Sequence, residues 1–409
     1  MGKIDKVAFF TNEYPPYVYG GAGVVVEYLS RELIEKVPLE IRCFGDQDLQ
    51  LPNLTVKGYG PWPEARQNTD PRFGGALDAL HRSLAMAKDR LDADIVHAHT
   101  WYVQFAGFLA KKLWDVPFVL TTHSLEPLRP WKVEQLGNAY HLSAWIEDNG
   151  ITQADAVIAV SQGTRDDILN YFDVDPDRVK VIYNGIDLNQ YRHTDEVDAL
   201  VKYGVDPARP YVLFVGRVTR QKGIIHLVNA IPYIDPSIQV VLCAGAPDTP
   251  AIGQEMQERV AEVSAGRPGV IWIREMLPKE QVIQYYSNAA VFCCPSVYEP
   301  FGIINLEAMA CETAVVASAI GGIPEVVVPP GRAGLDPTGE LIPLELEPGT
   351  FNPVDPARFS RELAEAINAV ALNPTLRRTY ERNGRKRVEE HFSWSVIAQQ
   401  TLELYESLV

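Results

Sequence analysis

Glu299 and Glu307 bracket a short turn, Pro300-Phe301-Gly302, which follows the apolar run Ala290–Cys294 and precedes the helix-forming run Leu306–Ala310. Strand, tight turn, helix is the order that sets the amides of a helix start beside a bound anion. Here those amides belong to Gly302, Ile303 and Ile304. A carboxylate accepts paired hydrogen bonds from vicinal hydroxyls, which sugars and ribose both offer. One short element thus supplies amides for a phosphate and acids for sugar hydroxyls. The same two glutamates also fit a plainer assignment, an exposed turn acid and a solvated helix residue.

Suitable cations stand at another strand end. Tyr211–Arg217 reads as a strand, and the turn after it, Val218 to Gly223, carries Arg220 and Lys222. Arginine holds a phosphate with two parallel bonds and lysine as a point charge. Arg217 and Lys222 together could neutralise a diphosphate in place of a metal, and no Asp-x-Asp signature sits at a strand end; a solvated surface turn is the alternative. His123 ends a strand of the first half, where it is a ligand to substrate or a satisfied rim histidine. Gly321-Gly322 follows another strand, as a simple β-to-α turn or an amide nest. Near the start, Asn12 to Gly23 contains Pro15 and Pro16, which exclude helix, and Gly20 and Gly21, which let backbone approach a ligand.

These residues need two scaffolds. At 409 residues the chain is too long for one ordinary core, so two domains of roughly 200 residues are expected. Strands at 6–11, 40–44, 54–59, 94–99, 117–123, 156–161 and 179–183 alternate with helical stretches such as 24–37, 74–91 and 163–171. Near-continuous apolar strands alternating with helices imply a parallel sheet covered on both faces, with ligands at the strands' carboxyl ends. The residues there are His97, His99, His123, Ser124, Ser161 and Asn184. After a polar, proline-containing stretch the pattern restarts with strands at 211–217, 238–243, 270–273, 290–294 and 314–318. The expected division is 1–190 and 191–391, with a last apolar-periodic helix within 392–409 returning to pack on the first domain, capped by Ser393 or Ser395.

The net charge of −16 argues against nucleic-acid or anionic-membrane surfaces. Five cysteines without a C-x-x-C spacing read as buried free thiols rather than disulfides or zinc ligands. No apolar run approaches the ~18 residues of a membrane span. A strand beginning by Lys6 leaves no room for a signal peptide, and Met1-Gly2 lacks the myristoylation pattern, so a cytoplasmic protein is expected.

Taken together, these motifs resemble the retaining glycosyltransferases of family 4, which have the GT-B fold of two Rossmann-like α/β domains facing across a cleft. The family's pair of glutamates separated by seven residues matches Glu299 and Glu307, its phosphate-binding arginine and lysine match Arg217 and Lys222, and its sugar-contacting histidine matches His123. The run Thr122 to Gly137 is similar to the glycogen synthase branch, which uses ADP-glucose; some members of that branch make α-maltose 1-phosphate from glucose 1-phosphate. The Lys-x-Gly-Gly of the neighbouring synthase family is absent, since Val18-Tyr19 precede Gly20-Gly21.

The resemblance implies a nucleotide sugar on the second domain. Glu307 would hold the ribose, and Arg217 and Lys222 the diphosphate, with the amides of Gly302, Ile303 and Ile304 and the Gly20-Gly21 loop beside it. Glu299 and His123 would position the glucose. It implies no metal, retention of the α configuration, and front-face attack by the acceptor. That acceptor is an α-glucan end or glucose 1-phosphate on the first domain, near Asn184 and the loop carrying Arg129 and Lys132, with Trp131 and Tyr140 as aromatic faces. Arg129 and Lys132 also fit surface pairing with Glu126 and Glu134, the latter opening a helix. Donor base, acceptor length and oligomeric state stay open. The rival readings are a sugar-clamping binding protein, an epimerase of the same fold and a pyridoxal-dependent phosphorylase.

Overall fold

The computed structural model describes residues 3–18, 20–129, 132–245, 247–348 and 350–409. Chain contacts divide it into two compact units, Met1–Gly185 with Trp394–Val409, and Ile186–Ser393. The expected breaks after 190 and 391 therefore stand beside breaks after 185 and 393.

The first unit is built on an eight-stranded sheet of β1 (Val7–Thr11), β2 (Leu39–Phe44), β3 (Asp48–Leu51), β4 (Leu54–Tyr59), β5 (Ile95–His99), β6 (Phe118–Thr122), β7 (Ala156–Ala159) and β8 (Val179–Val181). Their spatial order is β3-β4-β2-β1-β5-β6-β7-β8. Every pairing is parallel except that of β3 with β4. The interior strands β1, β5 and β6 are buried throughout, as apolar runs covered on both faces must be. Strand β3 is exposed along its whole length and reads DLQL, so only its pairing with β4 makes it a strand.

The second unit carries a parallel sheet of β9 (Tyr211–Arg217), β10 (Gln239–Gly245), β11 (Val270–Ile273), β12 (Val291–Cys294), β13 (Val315–Ser318) and β14 (Gly339–Ile342). Its order is β11-β10-β9-β12-β13-β14. Chain direction across the sheet reverses between β9 and β12, and in such sheets ligands bind at the carboxyl ends beside that reversal. In the first unit the reversal lies between β1 and β5. All five cysteines are buried thiols without disulfides. Among the described residues no helix is long and apolar enough to cross a membrane.

The last helix, Trp394–Glu406, belongs to the first unit, with Ser393 at its N-cap position. Trp394 stacks on Tyr28, ring centroids 6.0 Å apart and 5° from parallel. A Cβ on Gly185 would lie 2.6 Å from the Trp394 ring, so glycine is what lets the helix dock there. One turn from the end, the buried Tyr405 hydroxyl meets Nδ1 of His97 at 2.6 Å, and His97 Nε2 meets Thr121 Oγ1 at 2.7 Å.

Burial, with a smaller contribution from His123, lowers His97 to about 3 from an ordinary value of 6.5. The unfolded chain therefore takes up a proton below pH 6.5 while the folded chain does not until about pH 3. Stability is full above pH 6.5 and declines through that window by up to about 1.4 kcal/mol per pH unit. Tyr405→Phe leaves His97 Nδ1 buried without its partner and should cost about 1–3 kcal/mol at pH 7. Urea titrations of both proteins between pH 7 and pH 5 check both statements.

Candidate functional site

Lys222 and Glu299 are far apart in sequence, yet Lys222 Nζ lies 2.6 Å from Glu299 Oε2. Backbone contacts build this meeting. Gly223 has φ +59°, and a Cβ there would sit 2.0 Å from the Pro295 carbonyl oxygen, so the 219–223 turn lies directly against the loop that follows β12. The Val297 amide donates to the Gln221 carbonyl at 2.9 Å. From the other side, the Gly322 amide donates to the Glu299 carbonyl at 3.0 Å, and a Cβ on Gly321, at φ +53°, would strike that carbonyl at 2.1 Å. Gly321-Gly322 thus clamps Glu299. Ser296 Oγ donates to Glu299 Oε2 at 3.2 Å, and Glu299 is only 7% exposed. Burial works against the Lys222 ammonium, but the Glu299 carboxylate outweighs it and the lysine's pKa is raised. The pair is charged and faces the reversal point of the sheet.

Arg217 ends β9 but does not join that pair. It binds Asp248 at 2.8 Å and is half exposed. The structure therefore brings Lys222 and Glu299 together and leaves Arg217 on its own acid nearby, its charge opposing that of Lys222.

Glu307 lies in the helix Ile303–Ala310. Its Oε1 accepts from Tyr191 Oη at 2.9 Å and its Oε2 from Tyr286 Oη at 3.0 Å. Burial raises its pKa, against the lowering effect of the two tyrosine hydroxyls. Each carboxylate oxygen keeps a second acceptor position beyond its tyrosine hydroxyl. Gly302 caps the helix at φ +103°, and a Cβ there would strike Asn305 Nδ2 at 2.7 Å. The Asn305 amide donates to the Gly302 carbonyl at 2.9 Å, while those of Ile303 and Ile304 have no acceptor within their own helix. Asn305 is wholly buried, and neither polar atom of its side chain has a partner among the described residues. Tyr191, Tyr286 and Asn305 escape a reading of the sequence. An asparagine among helix formers is a faint signal; the tyrosines, brought from distant segments, offer none.

In the first unit, His123 follows β6 and its Nε2 lies 3.2 Å from Nδ1 of His99, at the end of β5. Burial lowers His123 to about 4 and drives His99 well below its ordinary value, so all three imidazoles of this cluster are neutral at pH 7. Next to His99, Thr100 takes φ +71°, an uncommon conformation for a β-branched residue, and its hydroxyl donates to Asn12 Oδ1 at 2.7 Å. That bond spans the reversal between β1 and β5. The Gly-rich segment differs from expectation: its helix starts at Gly21, not at Val24, which leaves Gly20 at the N-cap. The Gly20 amide donates to the carboxylate of Glu13 at 2.8 Å, and a Cβ on Gly23 would lie 2.6 Å from that same carboxylate.

The remaining expected acceptor residues separate. Arg129 donates to Ser124 Oγ at 3.0 Å and lies 3.4 Å from Glu126, which is 1% exposed; this cation is the charge partner of a buried acid. Lys132 opens the short helix Lys132–Leu136, two residues earlier than the expected start at Glu134. The Tyr140 hydroxyl is bound to the Glu126 carbonyl at 2.6 Å. Asn184 is buried at the end of the segment after β8. Trp131 lies outside the described residues.

Residues 19–190 match the profile of Glycosyltransferase Family 4, and residues 198–343 that of Glycosyl transferases group 1. An alpha-maltose-1-phosphate synthase of Mycolicibacterium smegmatis is 47% identical over 411 residues, covering 98% of this chain and 99% of that protein. Among solved structures, a sucrose-phosphate synthase from Thermosynechococcus elongatus superposes with a TM-score of 0.79 at 25% identity, over 99% of both chains. The catalytic domain of starch synthase IV from Arabidopsis thaliana, bound to ADP and acarbose, gives a TM-score of 0.73 at 17% identity, over 99% of both chains. With both units matched and a close relative spanning nearly the whole length, the chain belongs to glycosyltransferase family 4 and is a hexosyltransferase of the GT-B fold.

Proposed function

We propose that this protein transfers glucose, with retention of the α configuration, from ADP-glucose to the 4-hydroxyl of glucose 1-phosphate, an α-glucan end being the longer version of the same acceptor. The observation that carries the chemistry is the Lys222–Glu299 pair at the reversal point of the second sheet. The name of the 47% identical relative supports the choice of acceptor: α-maltose 1-phosphate is glucose joined to glucose 1-phosphate. The ADP bound to the starch synthase neighbour supports the choice of donor.

In this reading Glu307 binds the ribose hydroxyls through its open acceptor positions, with Tyr191 and Tyr286 fixing its plane. The bond between the anomeric carbon and the leaving phosphate oxygen breaks, and charge develops on ADP. Lys222, Arg217 and the amides of Gly302, Ile303 and Ile304 stabilise that charge electrostatically, so no metal is required. The acceptor oxygen attacks from the face the phosphate leaves, and its proton passes to the departing phosphate. Neutral His123 donates to or accepts from a glucose hydroxyl without adding charge. Of the two cations in the 124–136 loop, Arg129 maintains the loop through Glu126, and Lys132 is assigned to the acceptor's phosphate.

Lys222→Ala should lower kcat by roughly 10²–10³, the scale of losing one electrostatic contact to a developing anion. It also strands Glu299, so thermal unfolding must show a folded variant before the rate is read. A folded variant with near-normal kcat sinks the assignment. Glu307→Ala should weaken ADP binding about tenfold or more, whereas Glu299→Ala should leave ADP affinity nearly intact and slow transfer. Calorimetry with ADP on both variants decides it, and equal affinities would refute this division of roles. Activity should also persist in EDTA; loss on chelation that magnesium restores would show that the cations do not suffice. Product mass analysis with glucose 1-phosphate and a panel of nucleotide sugars tests the donor and acceptor directly.

A further inference from the structure

Glu307 is held on both oxygens, but the two holds differ in origin. Tyr286, which meets Oε2, is wholly buried in the helix Lys279–Asn288 and packs edge-on against Phe292 of β12, ring centroids 5.3 Å apart. The core fixes that hydroxyl. Tyr191, which meets Oε1, lies between β8 and the helix Asp198–Lys202, in a stretch with no helix or strand. Irregular chain is kept in place by what its backbone groups are bonded to. The Tyr191 amide donates to the Asp187 carbonyl at 2.8 Å. Its carbonyl accepts from Arg385 Nη1 at 3.1 Å.

Arg385 belongs to the helix Pro374–His391, outside every motif described above. The same Nη1 donates to the Ala310 carbonyl at 2.7 Å. Ala310 is the last residue of the helix that carries Glu307, so this carbonyl meets no amide of its own helix, and a cation there suits the helix dipole. Gly384 lets the two helices approach: a Cβ on it would come within 3.3 Å of Met309 Cγ. Glu389 accepts from Arg385 Nε at 2.6 Å, and the arginine side chain is only 22% exposed, so it is oriented rather than loose in solvent. One nitrogen thus ties the main chain of Tyr191 to the end of the Glu307 helix, and the Tyr191 hydroxyl closes the circuit on Glu307 itself. The terminal torsion of a glutamate is broad. With a hydroxyl on each oxygen the carboxylate plane is fixed; with one it can turn. Vicinal hydroxyls bind a carboxylate as a pair only when that plane is aligned with them.

We propose that Arg385 is a positioning residue for ribose recognition: through Tyr191 it sets the plane of the Glu307 carboxylate, and with it the preference for a ribonucleoside diphosphate over one lacking the 2′ and 3′ hydroxyls. The proposal rests on the reading of Glu307 as the ribose ligand. It is tested by calorimetry with ADP and with 2′,3′-dideoxy-ADP on the wild type, Arg385→Met, Tyr191→Phe and the double variant, with thermal unfolding to show that each is folded. Methionine keeps an apolar stem and removes the donors; phenylalanine keeps the ring and removes the hydroxyl. The wild type should prefer ADP about tenfold or more, the scale of hydrogen bonds to a charged group. Each single variant should cut that preference to about two- or threefold with dideoxy-ADP affinity nearly unchanged, and the double variant should lose no more, because the two residues act in series. If Arg385→Met keeps the wild-type preference, weakens both nucleotides equally, or adds its loss to that of Tyr191→Phe, Arg385 is a structural support only and the proposal fails. Tyr191→Phe decides the matter even where Arg385→Met does not fold, since a wild-type preference in that variant breaks the relay. Absence of any preference in the wild type is a separate result: it takes the ribose away from Glu307, and the proposal with it.

Discussion

Glu299 meets Lys222 because two stretches of backbone approach its loop where no side chain would fit. Gly223 lies against the Pro295 carbonyl on one side, and Gly321 lies against the carbonyl of Glu299 itself on the other. Both glycines have positive φ, so a substituted residue would meet strain as well as collision. The acid is thereby fixed through its main chain, and its side chain can be given over to a buried charged contact. Removing either partner would leave a charge in a poorly hydrated place, which is how such a site keeps both residues ionised and oriented before any ligand arrives.

Around this pair the second unit distributes its polar groups by function. Glu307 is held by two tyrosine hydroxyls, one on each oxygen, so its orientation is set while half its acceptor capacity stays open. Arg217 is held by Asp248 on the exposed side of the turn. On the proposed reading, a diphosphate would exchange one partner for another at each cation, which lowers the cost of desolvating them. The buried Asn305 lies under the Gly302 cap, and neither polar atom of its side chain has a partner among the described residues.

The first unit follows the other logic, neutrality. Three imidazoles cluster at the ends of β5 and β6, and burial keeps all of them uncharged. The last helix closes the cluster through Tyr405, so a chain segment from the far end of the sequence fixes the histidine layer.

The alternation of apolar strands and helices determined by itself that the chain forms two parallel α/β sheets, because period and burial pattern are local properties. The positions of Arg217 and His123 at strand ends, of Lys222 and Glu299 in the turns that follow strands, and of Glu307 in the helix after such a turn were legible for the same reason. Strand β3 was not legible, since four exposed residues become a strand only by pairing with β4. Nor was β14, a four-residue edge of mixed burial. Which charges meet was decided by tertiary structure alone. Lys222 chose Glu299 and Arg217 chose Asp248 because of which loops the sheet order places side by side, and Arg129 went to a buried Glu126 rather than to solvent. Side-chain type is written in the sequence, but partnership depends on distance, and distance is set by the order of strands.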